Sequence, residues 1–371
     1  MDFLLDTGPE EQILSRSGYK PNESLKALEI ALSESGSVAL GKTFHFSADL
    51  ICSGGFAIWC RIMWDYTIQH VGIGSPRLFV YLQKRLGELD ELVNKYPDEQ
   101  LYNSIEFQNR IGEMLVVLKQ APRHPKLVWP KVGIETHREG WLRNVAVATE
   151  TNVVRRVWKA DGDNALLRVA GSEISKAVVE GATDRMLFWI RWLLEEENIL
   201  KKEFRHATLS TIDRGIAGGK GKSGQEVGQF IVALFQEIYN EFASKQIIRM
   251  HEEFSCLVRL YKGYDMKLNN SQKKQIIAVL GQILCEVPRW KVPAAPPLVK
   301  DPLVVSRAVA QTGKFFREVL GNPAVQNNKA VLKSFTNKGQ VDKKKKTKEM
   351  VHNEQFAAVE KLMENYFGGK N

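Results

Sequence analysis

The sequence predicts an all-α protein with a helical bundle-like body, a Pro-rich linker and a basic C-terminal tail. Between residues 21 and 287, apolar residues recur mostly at intervals of three or four, which places them on one face of an α-helix. Five of the thirteen prolines lie between Pro288 and Pro302, and this density favours a stiff extended segment. Eight lysines follow between Lys329 and Lys348, which is typical of a solvated, charged tail.

Residues 1–20 are predicted to form an N-terminal arm, and residues 21–165 an N-terminal helical domain. In that domain, proline or a capping residue opens three segments of helical spacing, which is how helices commonly begin. These segments start near Pro21, Pro76 and Pro97. The second and third of them are expected to pair as a helical hairpin.

Other parts of this domain have mixed patterns. Residues 36–47 fit a strand or an irregular lead-in, whereas the apolar residues 48–71 fit one long buried helix with a kink at Gly54-Gly55. Residues 122–133 contain three prolines and are predicted to form an ordered crossing loop. Residues 141–158 mix β-branched and helical signals, so helix and strand both stay open there.

The second half of the body is predicted to be helical as well. Long helical patterns run over residues 172–206 and 225–264, and a Gly-rich loop at residues 215–224 separates them. The predicted segments after residue 165 are a C-terminal helical domain at 166–287, the Pro-rich linker at 288–302, and a short helix, basic tail and terminal amphipathic segment at 303–371.

Composition argues against several classes of protein. The four cysteines form no C-x-x-C pair, which argues against a disulfide framework and a thiolate zinc site. The acidic start lacks the order of a secretory signal, and no apolar run reaches the roughly 18 residues that cross a bilayer. We therefore expect no membrane insertion, no metal and no cofactor, and an intracellular location.

The net charge of +9 is concentrated near the C-terminus. Residues 329–348 carry eight lysines and one acid, Asp342, so this stretch holds +7 and the other 351 residues hold only +2. Attraction to phosphate is expected mainly from the tail, although a solvated tail or a nuclear import signal has the same composition. The tail residues predicted to contact nucleic acid are Lys338, Lys343, Lys344, Lys345, Lys346 and Lys348.

The Gly-rich loop resembles a phosphate-binding loop in composition only. A P-loop requires G-x-x-x-x-G-K-[ST], and with Gly221-Lys222-Ser223 as its end the leading glycine position holds Ile216. The preceding residues are also helical in pattern rather than a strand. The alternatives are a basic loop without a ligand and a loop in which Lys220 and Lys222 attract a phosphate backbone without any chemistry.

The last residues, 360–367, resemble the peptide by which replication proteins dock on a sliding clamp. Met363, Tyr366 and Phe367 stand at the aliphatic and aromatic positions of that peptide. Glu360 stands where the peptide has glutamine, which removes the amide donor. The alternative is an amphipathic helix that packs on the body or on a partner.

No complete catalytic motif is present, since H-E-x-x-H and G-x-S-x-G are both absent and the seven histidines are dispersed. Phe188, Trp189 and Trp192 have the spacing of a helical core face rather than of a base-stacking surface. Residues 195–197, three glutamates, are predicted to form a solvated face paired with Lys201 and Lys202. An enzyme whose site assembles only in three dimensions stays an alternative.

Residues 44–143 resemble helical proteins of large nucleocytoplasmic DNA viruses. The resemblance lies mainly in Gly72-Ile73-Gly74-Ser75-Pro76-Arg77-Leu78-Phe79-Val80-Tyr81-Leu82 and Trp129-Pro130-Lys131-Val132. It covers about a quarter of the chain and includes no catalytic motif. What it implies is a role in replication, in transcription or in the virion, and a location in the nucleus or cytoplasm of a host cell or in a virion.

These observations favour a non-enzymatic nucleic-acid-associated accessory protein for replication, transcription or packaging. Its basic tail and loop would bind the phosphate backbone. The alternative function is a protein-interaction scaffold that docks a partner through its C-terminal helix.

Overall fold

The computed structural model describes residues 14–138, 140–204, 208–214, 227–263, 268–290, 298–299 and 301–322. Within these ranges the regular secondary structure is helical, and extended segments pair only at one isolated bridge, between Asp163 and Ser210. The predicted all-α class is therefore confirmed. The α-helices are α1 (Pro21–Ser33), α2 (Ser37–Cys52), α3 (Phe56–Tyr66), α4 (Arg77–Lys95), α5 (Asp98–Asn103), α6 (Ile105–Gln120), α7 (Trp141–Val145), α8 (Asn152–Val157), α9 (Ala165–Glu180), α10 (Thr183–Glu203), α11 (Val227–Ser244), α12 (His251–Tyr261), α13 (Asn270–Glu286) and α14 (Pro302–Leu320).

Contacts group the chain into two compact units, each built from separate stretches of sequence. The first unit comprises Met1–Tyr66, Lys84–Ala121 and Pro297–Asn371, and the second comprises Thr67–Gln83 and Pro122–Pro296. This grouping interleaves the chain, whereas the domains predicted above follow one another in sequence. That residues 21–165 and residues 166–287 fold independently stays a prediction.

In the first unit, α14 packs against α6 and α2. The Phe315 ring lies 5.6 Å from Phe44, and the Phe316 ring lies 6.2 Å from Phe107. Gly112 allows the close approach, because a Cβ there would lie 2.0 Å from Thr312 Oγ1. The sequence predicts a body that ends at residue 287, whereas α14 lies beyond the prolines and still supplies core side chains.

Residues 37–52 form a helix where the sequence left a strand or an irregular lead-in open. The pattern is ambiguous because α2 is buried on most of its faces, including Phe44, Phe46 and Leu50, so no single apolar stripe appears. The predicted kink at Gly54-Gly55 is a complete break. Gly54 has φ +83°, and a Cβ on Gly55 would lie 2.8 Å from the Leu50 carbonyl oxygen.

A buried carboxylate fastens the first described residues onto α2. Asp49 is fully buried and accepts hydrogen bonds from Ser17 N at 2.9 Å and from Ser24 Oγ at 2.8 Å. Tyr19 is also buried, and its hydroxyl lies 3.3 Å from His45 Nε2. Residues 15–19 of the predicted arm therefore belong to the core of the first unit.

In the second unit, α13 packs against α9, α10, α11 and α12. Glycine permits its closest approach, since a Cβ on Gly281 would lie 2.2 Å from Met186 Sδ and 3.0 Å from the Phe235 ring. The side chains of α13 are buried from Ile276 to Cys285. Helix α13 therefore forms the centre of the second unit.

Residues 122–133 contain no helix, in agreement with the predicted crossing loop. Side chains of α9 and α10 hold this segment and its continuation. Arg191 donates to the Pro130 carbonyl at 2.7 Å, Trp192 Nε1 donates to the Thr136 carbonyl at 3.1 Å, and Glu173 accepts from two backbone amides at 2.6 Å. Residues 141–158, for which both helix and strand were possible, contain the short helices α7 and α8. No helix in the described ranges is long and apolar enough to cross a bilayer.

Candidate functional site

The site residues predicted from sequence lie outside the described residues, and so do the Gly-rich loop and most of the Pro-rich linker. Their predicted contacts with nucleic acid and with a partner stay predictions. These residues are Lys220, Lys222, Lys338, Lys343, Lys344, Lys345, Lys346, Lys348, Met363, Tyr366 and Phe367. The candidate site that the described residues do form lies elsewhere, in the second unit.

A groove of about 370 Å³ opens between α11 and α12. Both helices pack on α13, and each buries its other face, with Ile231, Phe235 and Ile238 on α11 and Leu257 and Leu260 on α12. Other side chains of α11 and α12 line the groove. A volume near the lower end of the usual range for ligand sites, about 300–1,000 Å³, suits a small group rather than a large one.

Helical spacing explains which side chains line the groove. On α11 the lining residues stand at positions i, i+3 and i+4, and on α12 they recur every three or four positions, so each set forms one stripe. The α11 stripe consists of Gln236, Tyr239 and Asn240. The α12 stripe consists of His251, Phe254, Ser255, Val258 and Arg259, with Lys262 directly after the helix.

The floor of the groove is an aromatic stack. The rings of Tyr239 and Phe254 lie 4.5 Å apart at an interplanar angle of 16°, and both residues are buried. The exposed His251 ring lies 5.9 Å from Tyr239. Burial raises the pKa of the Tyr239 phenol, and the nearby Glu253 adds to the effect, so the hydroxyl keeps its proton at neutral pH and can donate a hydrogen bond.

The charge of the groove is positive. Arg259 is exposed and Lys262 half-buried at its rim, and no carboxylate is present among the lining residues in the part of the chain that is described. The acids on the outer side of α11 have their own cations. Arg156 lies 2.8 Å from Glu237 and 3.6 Å from Glu241.

Lys245 donates to Glu241 at 2.6 Å and holds the pKa of that carboxyl below its usual value. The two acids in the first turn of α12, Glu252 and Glu253, stand where the helix dipole favours negative charge. The acids near the groove are thus stabilised by local partners. An anion in the groove would meet the cations of the rim.

The lining of the groove has the groups that bind an anion. Amide side chains, a hydroxyl, cations and a ring can hold an anion attached to a planar group. In the described ranges, no three His, Cys, Asp or Glu side chains come together in a way that could hold a metal ion.

A second aromatic cluster lies around α10. Trp189 and Trp192 are each 2% exposed, which confirms the predicted core role for these two residues, whereas Phe188 is half-buried. Trp192 stacks on His137 at 6.1 Å and 4°, and the two nitrogens of His137 face Glu196 at 2.7 Å and Glu195 at 3.6 Å. These contacts hold His137 and its neighbours on α10. The buried rings of Trp189 and Trp192 have no face open to a base.

The three glutamates of α10 do not form the solvated face that the sequence predicts. Glu197 is 5% exposed and accepts a hydrogen bond from Val227 N, the first residue of α11, at 3.0 Å. The predicted i,i+4 pairing is present only between Glu197 and Lys201, at 3.3 Å. The prediction failed because neighbouring segments cover this side of α10, which a helical pattern alone does not reveal.

A buried ion pair joins Asp163 and Arg214. Asp163 also accepts from Ser210 Oγ at 2.6 Å and from Lys159 N at 2.9 Å, and the Arg214 guanidinium lies 5.2 Å from the centre of the Phe230 ring. The sequence analysis named none of these residues. They fix residues 208–214 on the second unit.

The sequence analysis also missed the groove residues, which it assigned only to a helical pattern at residues 225–264. A signal existed in α12, where His251, Ser255, Arg259 and Lys262 repeat at three or four positions within an apolar helix. Comparison of the chain with models of protein families, with curated proteins and with solved structures yields no match.

Proposed function

We propose that this protein is a non-enzymatic nucleic-acid-associated accessory protein that acts in replication, transcription or packaging. The observation that supports the proposal is the α11–α12 groove, in which cationic and aromatic side chains share one surface. Surfaces that bind nucleic acid combine the same two features, because cations contact phosphates and rings contact bases. The resemblance of residues 44–143 to viral helical proteins points to the same kinds of process.

The lysines of residues 329–348 would add a second cationic segment. Flexible or extended lysine segments contact phosphates without reading bases, so they would increase affinity for any nucleic acid. Lys220 and Lys222 would act in the same way. The protein would therefore have a body that contributes selectivity and basic segments that contribute affinity.

The test is fluorescence anisotropy with labelled single-stranded DNA, single-stranded RNA and duplex DNA over a salt series. We expect binding that weakens with salt, with a slope of log K against log [salt] of roughly −4 to −7 for five to eight phosphate contacts. A full-length variant with Lys343–Lys346 and Lys348 changed to glutamine should have a slope smaller in magnitude by up to about 4.

The matched control keeps the charge of the tail and changes its sequence, by replacing the same five lysines with arginine. That variant should retain the slope of the unchanged protein, because phosphate contact depends on charge. If the unchanged protein binds none of the three probes at about 50 mM salt, where counterion release most favours binding, the proposed function is wrong.

A protein-interaction scaffold is the second candidate function. Val128, Ile134 and Val147, which lie between α6 and α8, are 78%, 81% and 69% exposed, and exposed apolar side chains favour contact with another protein. The terminal segment with Met363, Tyr366 and Phe367 would dock the partner. An immobilised peptide of residues 349–371 should then retain a purified sliding clamp, and a Tyr366→Ala peptide should not. Equal retention by both peptides would contradict this docking mode.

A further inference from the structure

We infer that the α11–α12 groove binds an unpaired nucleotide of single-stranded DNA or RNA, with its base against His251 and its phosphate at Arg259 and Lys262. This inference rests on the nucleic-acid binding proposed above and adds the form of nucleic acid that the body selects. The shape of the groove, the spacing of its charges and its hydrogen-bonding groups support single-strand binding.

The shape of the groove excludes a duplex from its floor. Proteins read a duplex with convex elements that enter its grooves, such as a helix in a major groove about 12 Å wide. The α11–α12 groove is concave and holds about 370 Å³, and its Tyr239–Phe254 floor is buried between two helices. Only a base that has left its stack can enter such a site, and single strands present their bases in that way.

The spacing of charge and ring along α12 matches one nucleotide. Arg259 and Lys262 are three positions apart, about 4.5 Å along a helix axis, so both cations can reach one phosphate group. His251 is eight positions before Arg259, which is about 12 Å along the axis. That distance leaves room for a sugar and a base between the ring and the phosphate.

The rings offer a surface for stacking at one end of the groove. His251 is exposed, and its ring lies 5.9 Å from the buried Tyr239 ring at an interplanar angle of 40°. Stacking of a base on an aromatic side chain tolerates every base, because each base has a π-face. The groove therefore needs no particular sequence to hold a strand.

The polar groups of the groove can pair with any base edge. Gln236 and Asn240 each carry a donor and an acceptor, and the hydroxyls of Ser255 and Tyr239 can act as either. A site with such groups satisfies both purines and pyrimidines. We therefore expect single-strand selectivity with little preference among bases.

The experiment compares full-length variants in anisotropy assays with a 20-nucleotide single strand, as DNA and as RNA, and with the duplex of the same length. Arg259→Gln/Lys262→Gln should weaken single-strand binding about tenfold, and His251→Ala should weaken it by a similar factor, because stacking on one ring contributes that much. His251→Phe keeps a ring and should restore most of the affinity. Duplex affinity should change less than twofold in all three variants.

The control is Lys26→Gln/Lys202→Gln, which also removes two positive charges, but from exposed positions on α1 and α10. It should leave single-strand binding within about twofold of the unchanged protein, since two distant charges act only through a screened field. Far-ultraviolet circular dichroism and thermal melting verify that each variant folds. His251 and Arg259 are exposed, so their replacement should leave the melting temperature unchanged.

The possible outcomes separate this inference from the proposed function. If the groove variants bind single strands as tightly as the unchanged protein does, the inference is wrong and the proposed function stands. An equal loss for single strand and duplex also overturns the inference, because it shows a general charge effect. If the unchanged protein binds no nucleic acid, both ideas fail together. Loss confined to single strands, with rescue by His251→Phe, supports the inference.

Discussion

Replacing Phe316 with alanine tests whether α14 belongs to the core of the first unit. The Phe316 side chain is fully buried and its ring lies 6.2 Å from Phe107 in an edge-to-face arrangement. Truncation of a buried phenylalanine to alanine costs about 3–5 kcal/mol, because apolar contact is lost and a cavity remains. A unit with an ordinary stability of about 5–15 kcal/mol would lose a large part of it.

The measurement is urea unfolding followed by tryptophan fluorescence together with native-state hydrogen exchange. Two units need not unfold as one, so a single transition cannot be assumed, and exchange reports each helix separately. We expect the amides of α2, α6 and α14 to lose protection together in Phe316→Ala. The helices of the second unit should keep theirs.

Leu303→Ala is the matched control on the same helix. Leu303 is 64% exposed, so its truncation should change stability by no more than about 0.5 kcal/mol. If Phe316→Ala costs less than about 1 kcal/mol, or if α14 exchanges freely while α2 and α6 stay protected, the packing of α14 in the core would be refuted. The body would then end before the prolines, as the sequence alone predicts.

Three further predictions concern buried polar groups. Asp49→Ala should cost about 2–4 kcal/mol in chemical unfolding, because two buried donors lose their acceptor, and a change below 1 kcal/mol would contradict this. Burial lowers the pKa of His45 against the opposing effect of Asp49 and Glu318, so the unfolded chain binds the proton more readily. The contribution of His45 to the free energy of unfolding is therefore complete above about pH 6.5, and at lower pH it should fall by up to about 1.4 kcal/mol per pH unit. His45→Gln should flatten the dependence of the free energy of unfolding on pH between pH 7.5 and 5.5. Arg214→Ala should cost about 3–5 kcal/mol because it leaves Asp163 buried and unpaired, and an unchanged melting temperature would argue against a buried pair.

Local sequence patterns account for most of the helices. The segment after Ser75-Pro76 is α4, and the segment that ends before Pro122 is α6, because helix starts, stops and apolar stripes depend on neighbouring residues only. The same reasoning failed for α2. A helix that is buried on nearly all sides has no polar face, so its apolar residues show no helical period.

Composition alone does not reveal that α14 packs in the core of the first unit. The prolines from 288 to 302 indicate an extended segment, and the sequence places everything after them outside the body. Contact of α14 with α2 and α6 joins residues that are about two hundred or more positions apart. A residue pattern within one segment carries no information about such a partner.

The candidate groove also depended on tertiary structure. Periodicity identified the helices that carry Tyr239 and Phe254, and each residue alone reads as core. Their stacking at 4.5 Å and the presence of Arg259 and Lys262 in the same groove follow from how α11 and α12 both pack on α13. A weak polar repeat along α12 was the single local signal of this site.

The sequence by itself determined the helical class, the positions of most helices and the concentration of charge in residues 329–348, because these properties follow from spacing and composition along the chain. Tertiary structure decided which helices meet, which acids are buried and where rings and cations face each other. The physical reason is that burial and packing join distant residues, and their free energy depends on three-dimensional contact rather than on the order of residues.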